Sequence, residues 1–249
     1  MKKLNTQGFT LIELMIASVI FATLLLFSTA IIIQIGRLYQ RGLTTTRTQE
    51  TVRRVTDDIS GAIQFSGDKV SVIGPVVVGD TSGFQANAYA FCTGNIRYSY
   101  VIGAQVSDNA DEGKYNTNVA QPKLNLIKHG LWRERITTSN GCTPSDLTRA
   151  VPDNDAGGVG SEGAELLSKG TRLAGLQIVP LDDKGKLWSI KVRLAKGDND
   201  LLDDKLDATG NPVPPATADN IKDTCKTGIA GKEFCAIAEL NLNVVRRLD

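Results

Sequence analysis

Between Phe9 and Ile33 the chain reads FTLIELMIASVIFATLLLFSTAIII, and Glu13 is the single charged residue in this stretch. A run of about 20 apolar residues is long enough to cross the ~30 Å hydrocarbon core of a bilayer as a helix. A carboxylate inside such a helix costs roughly 2.5 to 3.5 kcal/mol on insertion scales. The stretch therefore predicts a membrane-spanning helix. Because a carboxylate is costly there, we expect Glu13 to have a partner or a function.

A short polar leader, MKKLNTQG, comes before this helix. An ordinary secretory signal would instead place a small-x-small cleavage site after a shorter apolar stretch. The flanking charges favour neither orientation, because two basic residues lie on each side of the span: Lys2, Lys3, Arg37 and Arg41. A very short leader that is not carried across the membrane favours an N-terminus inside the cytoplasm.

The helix is expected to continue beyond Gln34, since no proline occurs between Met1 and Ile73. Apolar residues recur there at helical spacing, while charged residues take the opposite face. The apolar positions are Val52, Val55, Ile59, Ala62 and Ile63. We predict one long helix whose second half covers a sheet, with Gly61 and then Gly67 ending the helical pattern.

Segments rich in β-branched and aromatic residues follow, bounded by turn formers. They predict strands at Val70–Val78, Tyr89–Ile102, Leu124–His129, Leu131–Thr137, Leu173–Pro180, Leu187–Ala195 and Phe234–Arg246. Asp182 to Gly185 supply a hairpin turn between the fifth and sixth of these. Residues 151–163 and 201–223 are poor in core formers or rich in proline, and we expect loops there. The fold class predicted is α+β, with a long N-terminal helix packed on an antiparallel sheet.

The string KKLNTQGFTLIELMIA resembles the processing and methylation signature of type IV prepilins and type II secretion pseudopilins. The resemblance implies that a membrane-embedded prepilin peptidase cuts between Gly8 and Phe9 and methylates the new amino group of Phe9. It also implies that Glu13 neutralises the N-terminal amine of a neighbouring subunit during assembly. In low dielectric such opposite charges are expensive alone and favourable together.

The rest of the chain is similar, in the order and residue composition of its segments, to minor pilins of the PilW and PulJ kind. The implied organisation is a removed leader at 1–8, a transmembrane and assembly helix at 9–35, an amphipathic helix at 36–66 and a β-rich head at 67–249. Many major pilins carry a helix-breaking proline in the apolar half. Its absence here favours a minor subunit.

Four cysteines, Cys92, Cys142, Cys225 and Cys235, all lie beyond the apolar helix. An even number in a part expected to face outward predicts disulfides. Of the three connectivities, we favour Cys225 with Cys235, which closes a short loop before the final strand, and Cys92 with Cys142. A zinc site has little support because there is no C-x-x-C and His129 is the single histidine, and reduced buried cysteines are the other alternative.

Composition argues against several classes of function. Lys and Arg total 28 against 27 Asp and Glu, so no basic excess points to nucleic acid as a partner. Acidic and amide residues between Asp198 and Asp204 offer oxygen ligands for calcium, but they lack the glycine and bidentate glutamate of an EF-hand. No nucleophile, phosphate-binding or paired-carboxylate motif occurs. We therefore predict no catalytic residue, no metal site and no cofactor.

The chain is thus expected to be a minor type IV pilin or pseudopilin, a structural subunit that helps to initiate or cap a pilus or a type II secretion pseudopilus. Its expected partners are the prepilin peptidase, other pilin or pseudopilin subunits through the N-terminal helix, and the inner membrane before assembly. The head would lie outside the cytoplasm. Two alternatives are a tip adhesin displayed on the filament and a membrane-anchored domain that never polymerises.

Overall fold

The computed structural model describes residues 10–67, 70–79, 85–103, 130–136, 163–204 and 222–247. A single helix, α1, runs from Leu11 to Gln64 over 54 residues, which is about 80 Å at 1.5 Å per residue. The prediction of one long helix is confirmed. The helix ends at Gln64, between Gly61 and Gly67, the two glycines expected to end the helical pattern. The side chains of Ile59 and Ile63 are fully buried and hold its last turns in place.

The described residues form ten strands, all paired antiparallel. A five-stranded sheet has the order β1-β2-β3-β4-β5, a three-stranded sheet the order β10-β7-β6, and β8 pairs with β9. The strands are β1 Ser71–Gly79, β2 Gln85–Thr93, β3 Ile96–Val101, β4 Leu131–Arg135, β5 Ala164–Glu165, β6 Thr171–Pro180, β7 Leu187–Lys196, β8 Leu202–Asp204, β9 Lys222–Cys225 and β10 Ala236–Val245. The predicted α+β class is confirmed, with the strands divided among several sheets.

Two sequence predictions are corrected by this arrangement. The predicted strand Tyr89–Ile102 is a hairpin, because Gly94 has φ +59° and turns the chain between β2 and β3. The predicted loop 201–223 contains β8 and the start of β9, whose polar residues give no strand pattern. The predicted strand Leu124–His129 and residues 151–162 lie outside the described residues.

The core lies between the second half of α1 and the two larger sheets. Val52, Val55, Ile59 and Ile63 are buried, as predicted, and Ala62 packs against them at the edge. From the three-stranded sheet, alternate residues of β7 meet them: Trp188, Ile190, Val192 and Leu194. Hydroxyl side chains on the same helical face are satisfied locally, since Thr48 and Thr56 donate to carbonyls four residues earlier at 2.8 Å.

Polar contacts attach the five-stranded sheet to α1. The Tyr98 hydroxyl on β3 donates to Asp58 Oδ2 of the helix at 2.8 Å. Arg133 on β4 forms an ion pair with the same carboxylate at 3.3 Å, and Thr93 donates to the Ala62 carbonyl at 2.9 Å. The Tyr98 ring stacks on Phe91 with 4.4 Å between centroids. Burial, and then the Asp58 carboxylate, raise the pKa of Tyr98 far above its ordinary value.

A charge pair is enclosed in the five-stranded sheet. Arg97 and Glu134 are cross-strand partners of β3 and β4, and both are almost fully buried. The Arg97 Nε–H donates to Glu134 Oε1 at 2.6 Å. Removing one partner of such a pair leaves an uncompensated buried charge and is strongly destabilising.

Candidate processing and assembly site

The start of α1 is a capping box formed by Thr10 and Glu13. The Thr10 hydroxyl accepts a hydrogen bond from the Glu13 backbone N–H at 3.4 Å. In return, Glu13 Oε2 accepts from the Thr10 backbone N–H at 2.9 Å and from the Thr10 hydroxyl at 2.8 Å. This reciprocal arrangement satisfies donors that an uncapped helix would leave without partners. Thr10 and Glu13 therefore fix where the helix begins.

The geometry leaves half of the Glu13 carboxylate available. Both hydrogen bonds from Thr10 go to Oε2, and Oε1 has no hydrogen-bond partner among the described residues. The residues of the surrounding turn are exposed. Glu13 can therefore cap its own helix through one oxygen and accept a donor from another chain through the other.

The predicted processing residues Gly8 and Phe9 lie outside the described residues. α1 nevertheless begins at Leu11, two positions after the predicted cleavage point. The roles of Gly8, Phe9 and Glu13 remain predictions. The cap made by Thr10 was not anticipated, although its signal, a threonine followed three positions later by a glutamate, is present in the sequence.

The first part of α1 is exposed in the described part of the structure. Every residue from Leu11 to Gly42 is exposed, and we call this the bare segment. Its large apolar side chains are more than half exposed, including Phe21 at 64% and Leu26 at 72%. Within the described residues α1 is the one helix long and apolar enough to cross a membrane. Apolar surface left in water is unfavourable by about 25 cal/mol per Å², so this segment needs lipid or other helices around it.

The rest of the helix, residues 43–64, is built into the head, and we call it the packed segment. Thr44 is the first buried position, and the buried positions continue to Ile63. The two segments are one uninterrupted helix. The packed segment therefore holds the bare segment in a fixed direction relative to the sheets.

A disulfide between Cys225 and Cys235 lies where the bare segment meets the head. Cys235 is buried in a small cluster with Ala195, Leu201 and Leu202. The loop that it closes contains the 3-10 helix Lys232–Phe234, which contacts α1. This is one of the two pairs favoured by the sequence. Cys92 is also disulfide-bonded, and Cys142, its predicted partner, lies outside the described residues.

The acidic residues considered for calcium lie at a short 3-10 helix and on the strand that follows it. Asp198 and Asp200 are exposed at the 3-10 helix Asn199–Leu201, and Asp203 is exposed on β8. Among the described residues no group of three or more His, Cys, Asp or Glu side chains is placed to hold a metal ion.

Comparison with known proteins places the N-terminus in a recognised class. Residues 3–29 match the family model described as the prokaryotic N-terminal methylation motif. The match covers residues 3–8 of the leader, the cap, and the bare segment as far as Thr29. No curated protein and no solved structure matches the chain. The chain thus carries a type IV prepilin signal on a pilin-like fold, and motif and architecture together support a type IV pilin-like protein.

Proposed function

We propose that the protein is a minor type IV pilin or pseudopilin, a structural subunit that helps to start or cap a pilus or a type II secretion pseudopilus. In this proposal the prepilin peptidase removes residues 1–8 and methylates Phe9. The chain then rests in the inner membrane through residues 9–35, with its head outside the cytoplasm. From there it joins other subunits through α1.

The observation that carries the proposal is the contrast within α1. The packed segment uses its apolar face inside the head, whereas the bare segment exposes its apolar surface on all sides. A helix that is apolar all round is found in a membrane or in the core of a larger assembly. A subunit that moves from bilayer to filament uses the same surface in both places.

Glu13 supplies the second argument. Its Oε1 is free to accept the methylated amine of a neighbouring chain while Oε2 still caps its own helix. Within lipid or a helical core, that ion pair removes the cost of two isolated charges. Glu13 therefore has a structural role in its own chain and a charge role between chains.

Two substitutions separate these roles. Glu13→Gln keeps a side chain that can complete the capping box but removes the charge, whereas Glu13→Ala removes both. If the charge recruits the neighbouring amine, both variants should be processed at Gly8 and stay in the membrane, yet both should be missing from purified filaments. Glu50→Gln is the matched control, because Glu50 is exposed on the packed segment of the same helix.

Immunoblots of sheared filaments and membrane fractions would measure the distribution of each variant. Normal incorporation of Glu13→Gln with loss of Glu13→Ala would show that capping alone is required. Normal incorporation of both would contradict the assembly role of Glu13.

A further inference from the structure

A basic cleft lies where α1 leaves the apolar run. Its volume is about 390 Å³. One wall is formed by α1, through Arg37, Leu38 and Arg41, and the other by residues 228–233 of the disulfide-closed loop. The cleft is therefore built from two elements that are distant in sequence, and the Cys225–Cys235 bond anchors the second wall beside the first.

The position of the cleft follows from the geometry of the helix. The apolar run ends at Ile33, and Arg37 follows four residues later, about 6 Å further along the axis. A span of about 20 residues starting near Leu11 leaves the hydrocarbon core close to residue 30. With α1 across a bilayer, the cleft is at the level of the lipid headgroups on the side of the head.

The charges of the cleft suit an anion. Arg37, Arg41 and Lys232 line it, against one carboxylate, Glu233. Among the described residues no carboxylate lies within ion-pair distance of Arg37 or Arg41, and both are exposed. The planar guanidinium group presents donors in a fork that matches phosphate oxygens. At this depth in the membrane the abundant phosphate belongs to phospholipids.

We propose that this cleft binds the phosphate group of an anionic phospholipid in the leaflet next to the head. The inference rests on the proposed function, since it requires α1 to span the membrane. Arg37 and Arg41 contact the phosphate from the helix, and Lys232 contacts it from the disulfide-closed loop. The bound lipid holds the base of the head against the membrane surface before the subunit enters a filament.

The test uses the full chain purified in a zwitterionic detergent, with phosphatidylglycerol and phosphatidylcholine added as competing probes. Native mass spectrometry measures the share of protein that retains each lipid. We expect the wild type to retain phosphatidylglycerol in preference to phosphatidylcholine. Arg37→Gln with Arg41→Gln should lower phosphatidylglycerol retention by about tenfold, since basic residues near the membrane surface each contribute to anionic lipid binding.

The matched control is Arg53→Gln with Arg54→Gln. These arginines are exposed on the same helix, but Arg53 lies about 18 Å further along its axis than Arg41, the last residue of α1 that lines the cleft. This control should retain phosphatidylglycerol as the wild type does. Equal loss of phosphatidylglycerol retention in both double variants would show that only net charge matters, and it would overturn the site. Unchanged retention after Arg37 and Arg41 are replaced would also overturn it.

A third arm adds inorganic phosphate at the same concentration as the lipid. Displacement of phosphatidylglycerol by phosphate alone would show a free-anion site and overturn the lipid assignment, whereas persistence of the lipid supports it. Carbonate extraction of cell membranes separates this inference from the proposed function. Release of the chain by carbonate would contradict the membrane span itself, while retention in the membrane with no effect of the arginine substitutions would contradict only the lipid site.

Discussion

The bare and packed segments of α1 belong to one helix but meet opposite surroundings. In residues 43–64 the apolar side chains form one face, and Val55 and Ile59 are essentially inaccessible to solvent. In residues 11–42 apolar side chains point in every direction, and none is buried. The same backbone geometry thus serves a water-facing head at one end and an apolar environment at the other.

The difference lies in the sequence pattern. Apolar residues on one face of the helix are covered by a sheet of the same chain, whereas apolar residues on all faces need partners from outside it. The packed segment should therefore govern the stability of the head, while the bare segment should govern membrane residence and assembly. Each of the following experiments acts on this division.

The largest effect on stability is expected from Ile59→Ala. Ile59 is fully buried between α1 and the sheets, and such a truncation removes about 2–5 kcal/mol from the free energy of unfolding. Ile20→Ala is the matched change in the bare segment, where Ile20 is 54% exposed, and it should change head stability by less than about 0.5 kcal/mol. Denaturant unfolding of the full chain in detergent, followed by tryptophan fluorescence, measures both. Equal losses of stability in the two variants would contradict the distinction between the segments.

A smaller loss is expected when the disulfide at the border of the two segments is removed. The Cys225–Cys235 pair spans 10 positions of sequence, and the entropy of closing such a loop corresponds to about 3 kcal/mol. Replacing both cysteines with serine should lower the free energy of unfolding by up to that amount, as measured by the same denaturation. The free energy of unfolding of the chemically reduced wild type, compared with that of the variant, shows how much stability any other disulfide contributes. An unchanged unfolding midpoint in the variant would mean that the loop is held by its packing alone.

The smallest effect is expected from Tyr98→Phe, which removes the hydrogen bond from β3 to Asp58. The net loss should be about 1.5 kcal/mol at neutral pH, the lower end for a hydrogen bond to a charged group, because Asp58 keeps its ion pair with Arg133.

The same variant tests the pH dependence of the head. Burial raises the pKa of Tyr98 above its ordinary value of 10.0. Below pH 10 the phenol is protonated in both the folded and unfolded states, so its contribution is constant. Above pH 10 the unfolded chain loses the proton while the folded chain keeps it, and stability falls as pH rises, by up to about 1.4 kcal/mol per pH unit. Denaturation between pH 8 and pH 11 should show a shallower decline in Tyr98→Phe, and identical slopes would contradict the assignment.

The amphipathic half of α1 and the β6–β7 hairpin were predictable because their patterns are local. Val52, Val55 and Ile59 recur at the helical period, and Asp182 to Gly185 form a recognisable turn. The sorting of strands into separate sheets was not predictable, since β-pairing depends on partners distant in the chain. The short pair β8 and β9 shows this most clearly. Its residues are mostly polar, and its position depends on buried Leu202 and on the disulfide at Cys225.

Charged residues inside the head gave no signal either. Arg97 and Glu134 lie in segments that predict strands, but nothing in the sequence indicates that they are buried and paired with each other. At the candidate site, by contrast, the sequence did give a signal. Gly8, Phe9 and Glu13 were chosen from a local motif, and the matching family model covers the same residues. The use of the two Glu13 oxygens needed the structure, because the sequence indicates a cap at Thr10 but does not indicate that Oε2 makes it and leaves Oε1 open.

The most direct measurement of the central claim is the intact mass and N-terminal sequence of the protein from its own cells, with and without the prepilin peptidase. A mature chain that begins at methylated Phe9, produced only when the peptidase is present, is the result predicted. An unprocessed chain beginning at Met1, or a chain cut beyond Ile33, would contradict it, because the bare segment would then be an ordinary anchor or a discarded signal.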